Sequence, residues 1–110
     1  MAKKRYFILS PSYSNDSELN DLRKKVASYY GKDNYEELLT DPLVHDAIRK
    51  SIPNGSNEYN ASLLLVGTLL MVIAQSDSVY VAKGWETDDV CKICHAIAFS
   101  YGVDMIYESV

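Results

Sequence analysis

The chain has 110 residues, 47% of them apolar and 24% charged, with 11 Lys and Arg against 15 Asp and Glu for a formal net charge of −4. These are the proportions of a single soluble domain, residues 1–110, with one core, and they exclude a disordered tail, a collagen-like fibre and a disulfide-stapled mini-protein. An acidic chain is poorly suited to gripping a phosphate backbone, so no nucleic-acid partner is expected. The charge is also uneven: residues 1–55 carry nine basic and eight acidic side chains, residues 56–110 two and seven.

The basic start, Met1 to Arg5, is followed by only Tyr6-Phe7-Ile8-Leu9 before Ser10-Pro11. That is shorter than the apolar stretch of about 7–15 residues in a secretion signal, so a cytoplasmic chain with reduced cysteines is expected. Tyr6 to Leu9 suits a strand buried on both faces. Asn15-Asp16-Ser17-Glu18 offers a helix N-cap, and Leu19, Leu22, Val26 and Tyr29 or Tyr30 then recur at helical spacing until Gly31. Asp33 to Glu36 predicts the cap of a short helix through Leu39. Asp41-Pro42 opens another, lined by Leu43, Val44, Ala47, Ile48 and Ser51 and stopped by Pro53. The middle therefore reads as helix-rich, with no strand between residues 31 and 57. Residues 58–75 predict a helix apolar on most sides and hence deeply packed; its apolar run is too short and too interrupted to span a membrane.

The last third is the most regular. Ser78 to Ala82 is β-prone, Lys83 to Thr87 forms a loop, and Asp88 to Tyr101 predicts a helix closed by Gly102. Its inner side is expected to carry Val90, Ile93, Cys94, Ile97, Ala98 and Tyr101. Val103 to Tyr107 predicts a further strand. Strand, helix and strand make a right-handed βαβ unit, and with the N-terminal strand they predict an α/β three-layer sandwich around a small, mainly parallel sheet. Ligands of such sheets sit beyond the carboxyl ends of the strands, where Ser10 to Ser14 and Lys83 to Asp89 collect.

Cys91-Lys92-Ile93-Cys94-His95 has the C-x-x-C-H spacing of haem attachment, but that chemistry needs export and room for a haem. A dithiol redox site is a distant alternative. It lacks the later proline that such folds place beside the dithiol, since Pro11, Pro42 and Pro53 all precede the cysteines. Two Cys and one adjacent His do not close a tetrahedral zinc site, so no metal and no cofactor are expected. The favoured reading makes both cysteines small buried apolar residues and His95 a structural histidine.

Residues 76–108, with Ser76-Asp77-Ser78-Val79-Tyr80-Val81, Lys83-Gly84-Trp85-Glu86, Cys91 to Ala98 and Tyr101 to Glu108, resemble the nucleoside 2-deoxyribosyltransferase-like family. The likeness is greatest to its short bacterial and phage branch, extends faintly to Tyr6–Pro11, and is absent from the middle. It implies a flavodoxin-like topology, a homo-oligomer and a nucleoside-like ligand near Ser10, Tyr13, Gly84, Trp85, Glu86 and Asp88. The apolar residues of 61–74 could supply the subunit contact.

That family cleaves the bond between a deoxyribose and its base through a helix glutamate that attacks the anomeric carbon. The matching position here is Cys94. The acid the family carries upstream of the strand-opening Asp falls in Val66 to Leu70, which holds no carboxylate. The Ser and Gly that hold a phosphate fall on Asp88 and Val90, and the first-strand Gly on Ser10. Hence the expectation is a catalytically degenerate relative that binds a nucleoside-like molecule or a protein partner. The alternative is an active enzyme in which Asp77, Glu86 or Asp88 replaces the missing carboxylates. For single residues a structural account stands beside the ligand: Asp88 and Asp89 suit a helix's first turn, Trp85 can pack over the sheet edge, and Asp77 can buttress its strand.

Overall fold

A computed structural model describes residues 3–11, 16–38 and 58–108. Four strands, β1 (Lys4–Leu9), β2 (Tyr35–Leu38), β3 (Ser78–Val81) and β4 (Met105–Tyr107), form one sheet in the order β2-β1-β3-β4. Every pairing is parallel. Among the described residues three helices, α1 (Asp16–Tyr30), α2 (Glu58–Ala74) and α3 (Asp89–Ser100), accompany them, with a 3-10 turn at Trp85–Thr87. The helix expected from Pro42 to Ser51 lies outside the described residues.

Alternation along β1 and β3 divides the core between the two faces of the sheet. Phe7, Leu9, Val79 and Val81 point to one side, where they bury against Val66 and Ile73 of α2 and Cys91, Cys94 and Ala98 of α3. Tyr6, Tyr80 and Ala82 point to the other and close over Leu22 and Val26 of α1. Helices thus cover both faces, the α/β layering the sequence predicts.

The strand β2 corrects the expectation of a helix from Asp33 to Leu39 and of no strand between 31 and 57. Gly31, at φ +83°, ends α1. The chain then turns so that the Lys4 amide donates to the Asn34 carbonyl at 2.9 Å, and Tyr35 to Leu38 run alongside Lys4 to Phe7. Pairing with β1 and the packing of the Tyr35 ring against Tyr6 and Tyr30 override the local capping signal.

Two further corrections concern helix faces. In α3 the buried stripe is Cys91, Cys94 and Ala98, whereas Ile93 and Tyr101 are 49% and 84% exposed and Ile97 also faces outward. Small side chains let this helix approach α2 closely, and the larger ones lie toward its flanks. In α2, expected to be deeply packed, Val66 and Ile73 are buried but Leu63 and Met71 are about two-thirds exposed, at 70% and 68%. Among the described residues no helix is long and apolar enough to cross a membrane.

Candidate functional site

Strand order β2-β1-β3-β4 places a topological switch point between β1 and β3, from which the chain winds to opposite sides. In open parallel sheets the crevice beyond the carboxyl ends of such a pair is where ligands bind. Leu9 and Val81 are register partners, and the Ala82 amide donates to the Leu9 carbonyl at 2.9 Å, so the loops starting at Ser10 and Lys83 leave the sheet side by side. Gly84 adopts φ +93°, and a β-carbon there would lie 3.5 Å from Pro11 Cγ. The crevice therefore brings together Ser10 and Gly84 of the expected ligand set. Tyr13 lies outside the described residues.

Trp85 and Asp88 of that set are occupied structurally. The Trp85 indole stacks on the His95 ring at 4.0 Å between centroids and packs against the α2–α3 side of the core. His95 Nε2 in turn meets the Tyr107 hydroxyl at 2.7 Å. The 3-10 turn is closed by the Thr87 amide and hydroxyl, both donating to the Gly84 carbonyl, and by the Asp88 amide donating to the Trp85 carbonyl. Asp88 is the N-cap of α3: its Oδ1 accepts from the Cys91 amide at 3.0 Å and its carbonyl from the Lys92 amide at 2.9 Å. Glu86 stands exposed beside it.

Cys94 is fully buried and Cys91 2% exposed, among Phe7, Leu9 and Val81. Burial, with the Asp88 charge adding to it, pushes the Cys91 thiol up to about 12 and the Cys94 thiol up to about 11. Both thiols are therefore held in the neutral form at pH 7, whereas the thiolate is the reactive form of a cysteine. Asp77 is at the opposite, amino edge of the sheet. Its Oδ2 accepts from the Arg5 amide at 2.8 Å while its own amide donates to the Arg5 carbonyl at 2.7 Å, which pins β1 to the start of β3. The four residues of β3, at about 3.3 Å each, separate it from the crevice by roughly 13 Å.

Among the described residues, two ionic contacts outside the expected set join different elements, besides the Lys92–Asp89 pair within α3. Glu108, at the end of β4, accepts from the Lys83 amide at 2.8 Å and pairs with Lys25 Nζ of α1 at 2.8 Å. Burial raises its carboxyl, but the hydrogen bonds from Lys25 and the Lys83 amide outweigh that and hold it below its ordinary value. An acidic residue closing the last strand of a parallel sheet necessarily falls at the carboxyl edge, and that signal is present in the sequence. The second contact joins α1 to β2. Arg23 Nε and Nη2 each approach Glu37 Oε2 at 3.0 Å, with Nε also 3.3 Å from Oε1. This pair lies in the wall of a cavity of about 220 Å³ beside the carboxyl ends of β1 and β2, which Ile8, Ser10, Leu19, Leu38 and Leu69 also line. Among the described residues no group of three or more His, Cys, Asp or Glu side chains is placed to hold a metal ion.

No protein-family model, curated protein or solved structure matches the chain.

Proposed function

We propose that this chain is a deoxyribosyltransferase-like protein that binds a nucleoside-like small molecule at the carboxyl edge of its sheet and no longer cleaves it. The observation that carries the reading is the buried, protonated Cys94 at the position of the family's nucleophile. An oxocarbenium-like transition state needs an anionic carboxylate beside the anomeric carbon, and a thiol facing Phe7 and Leu9 supplies none. The binding half of the reading is supported by the crevice where Ser10 and Pro11 meet Gly84. A cytoplasmic homo-oligomer, joined through the outward side of α2 at Leu63 and Met71, belongs to the same reading.

The alternative, an active enzyme with substituted carboxylates, draws less support. Asp77 is at the wrong edge and hydrogen-bonded to a backbone amide, and Asp88 caps α3. Chromatography of deoxynucleosides and deoxynucleotides incubated with the protein, alongside thermal unfolding with the same panel, tests the proposal. The expected result is no base exchange or hydrolysis, with a higher melting temperature for at least one nucleoside. At 100 times its Kd such a ligand adds about 2.7 kcal/mol of stability. Turnover that survives Cys94→Ala but disappears in Asp88→Asn would overturn the loss of catalysis. Failure of every nucleoside to shift the melting temperature would remove the ligand and leave a protein-interaction module.

A further inference from the structure

We propose that the cavity between β1, β2, α1 and α2 receives the planar heterocycle of the ligand and reads a lactam edge, the carbonyl with Arg23 and the adjacent N–H with Glu37. The inference rests on the nucleoside reading and extends it to Arg23 and Glu37, which the family resemblance does not touch.

Size comes first. The cavity holds about 220 Å³. That is less than the roughly 300–1,000 Å³ of sites that enclose a whole drug-sized ligand, and it fits one ring system with the remainder outside. Ile8, Leu19, Leu38 and Leu69 supply apolar walls. Ser10 lines the cavity and also opens the loop whose next residue, Pro11, approaches Gly84. A heterocycle seated against Leu19 and Leu69 can therefore continue past Ser10 into the crevice between β1 and β3.

The polar wall selects the chemistry. A guanidinium has five N–H donors in a fixed plane, and Glu37 engages the edge formed by Nε and Nη2. The N–H groups on Nη1 and the second on Nη2 remain at the end of the fork. Arg23 is 42% exposed against 14% for Glu37, so the guanidinium offers a ligand more surface than the carboxylate does. Two donors side by side suit a carbonyl oxygen, which has two lone pairs, better than a ring nitrogen, which has one. Glu37, acceptor-only and beside them, takes an N–H adjacent to that carbonyl. The pair is also net neutral. An anion attracted by Arg23 meets the carboxylate already bound to it, and a cation attracted by Glu37 meets the guanidinium. A neutral lactam edge, as in thymine, uracil or hypoxanthine, is therefore preferred over the amidine edges of adenine and cytosine and over charged ligands.

The test compares thymidine with N3-methylthymidine on the full chain by calorimetric titration, and follows the methyl NMR signals of Leu19, Leu38 and Leu69 with thymidine, uracil and benzoate. Methylation removes the N–H that Glu37 accepts and sets a methyl group against the carboxylate, so binding should weaken at least about tenfold. Glu37→Gln and Leu19→Trp should each weaken thymidine similarly, the second by filling the cavity. Equal affinity for thymidine and its methyl derivative, binding that leaves the three methyl groups unmoved, or tighter binding of benzoate than of uracil would overturn the inference and leave the nucleoside reading standing. Uracil moving those methyl groups when no nucleoside binds would support the cavity and overturn the nucleoside reading. Silence from every probe would overturn both.

Discussion

Replacing Cys94 by glutamate introduces the side chain that the proposed family resemblance would put there, and the burial of that position sets the consequence for stability. The site is fully buried among Phe7, Leu9, Val66 and Val81. A carboxyl there is forced to stay protonated, because burial raises such groups by about 3–5 pH units. At pH 7 the unfolded chain ionises its glutamate at about 4.3, and holding the folded one neutral costs about 1.36 kcal/mol for each of the 2.7 intervening pH units, close to 4 kcal/mol. The longer side chain adds about 1–3 kcal/mol of overpacking. Together these remove much of the 5–15 kcal/mol typical of a domain. Cys94→Gln isolates the ionisation, since it has the same shape and no charge. In urea unfolding followed by Trp85 fluorescence, Cys94→Glu should be about 4 kcal/mol less stable than Cys94→Gln at pH 7. The sign is fixed by the raised folded pKa: the neutral form binds its proton in both states below pH 4, so the gap closes as pH falls toward 4.3 and widens as it rises. A gap under about 1 kcal/mol at pH 7 would refute the reasoning. It would mean that a carboxylate at position 94 reaches the crevice, and the variant should then be assayed for glycosidic-bond cleavage.

Three other outcomes are expected from the same geometry. Asp88→Ala removes the acceptor of the Cys91 amide and should cost about 1 kcal/mol in chemical denaturation, while Asp88→Asn, an equally good cap, should cost a few tenths; equal losses in the two variants would make the charge, not the cap, the contribution of Asp88. Cys91, Cys94 and Tyr30 all titrate above their ordinary values because burial disfavours their anions, with Tyr30 pushed to about 12. Their contribution is complete below the unfolded pKa values of about 9 to 10 and is lost as pH rises toward 12, so the urea midpoint should hold to pH 8.5 and fall by pH 10.5, and Ellman's reagent at pH 8 should label the thiols only in denaturant. Fast labelling of the native protein would contradict the burial of both thiols. Gly84→Ala should cost about 1–2 kcal/mol through its φ of +93° alone, because the 3.5 Å approach of its β-carbon to Pro11 is an ordinary contact; no measurable loss would mean that the loop accommodates another conformation.

How much of this is legible in the sequence varies by element. The βαβ unit from Ser78 to Tyr107 is readable because its signals agree: a β-prone run, an N-cap at Asp88, and a helix ended by Gly102, which takes φ +76°. The carboxyl-edge position of Ser10 and Gly84 comes from that unit plus a parallel first strand. β2 is hidden because its four residues include Glu36 and Glu37 and succeed an Asp33-Asn34 pair that reads equally as a helix cap. Only its contact with β1, some thirty residues away, makes it a strand. The Arg23–Glu37 pair is invisible for the same reason: without β2, nothing places Glu37 beside α1. α2 is apolar all round, so periodicity gives it no direction, and it buries Val66 and Ile73 while leaving Leu63 and Met71 outside. In α3 the larger side chains suggest the inner face, whereas close packing favours the smaller ones.

The acidic surplus of residues 56–110 also acquires a structural meaning. Asp77 binds the Arg5 amide, Asp88 binds the Cys91 amide, and Glu108 binds the Lys83 amide and the Lys25 ammonium. Each carboxylate fastens a separate junction: β1 to the start of β3, the crevice loop to α3, and the end of β4 to α1. Carboxylates spent on backbone amides in this way are held in place by the fold, not poised for proton transfer. Glycoside cleavage ordinarily uses two carboxyl groups about 5–10 Å apart, one to attack or activate water and one to protonate the leaving group. Of the three replacements the resemblance offers, Asp77 is at the far edge, Asp88 caps a helix, and Glu86 is exposed at the crevice. Glu86 can fill one of the two roles and not both. Of these three carboxylates, then, only Glu86 is left for either role, so the proposed loss of catalysis draws on the fold's hold on Asp77 and Asp88 as well as on Cys94, and a glutamate introduced at position 94 alone would leave the acid–base role among the three to Glu86.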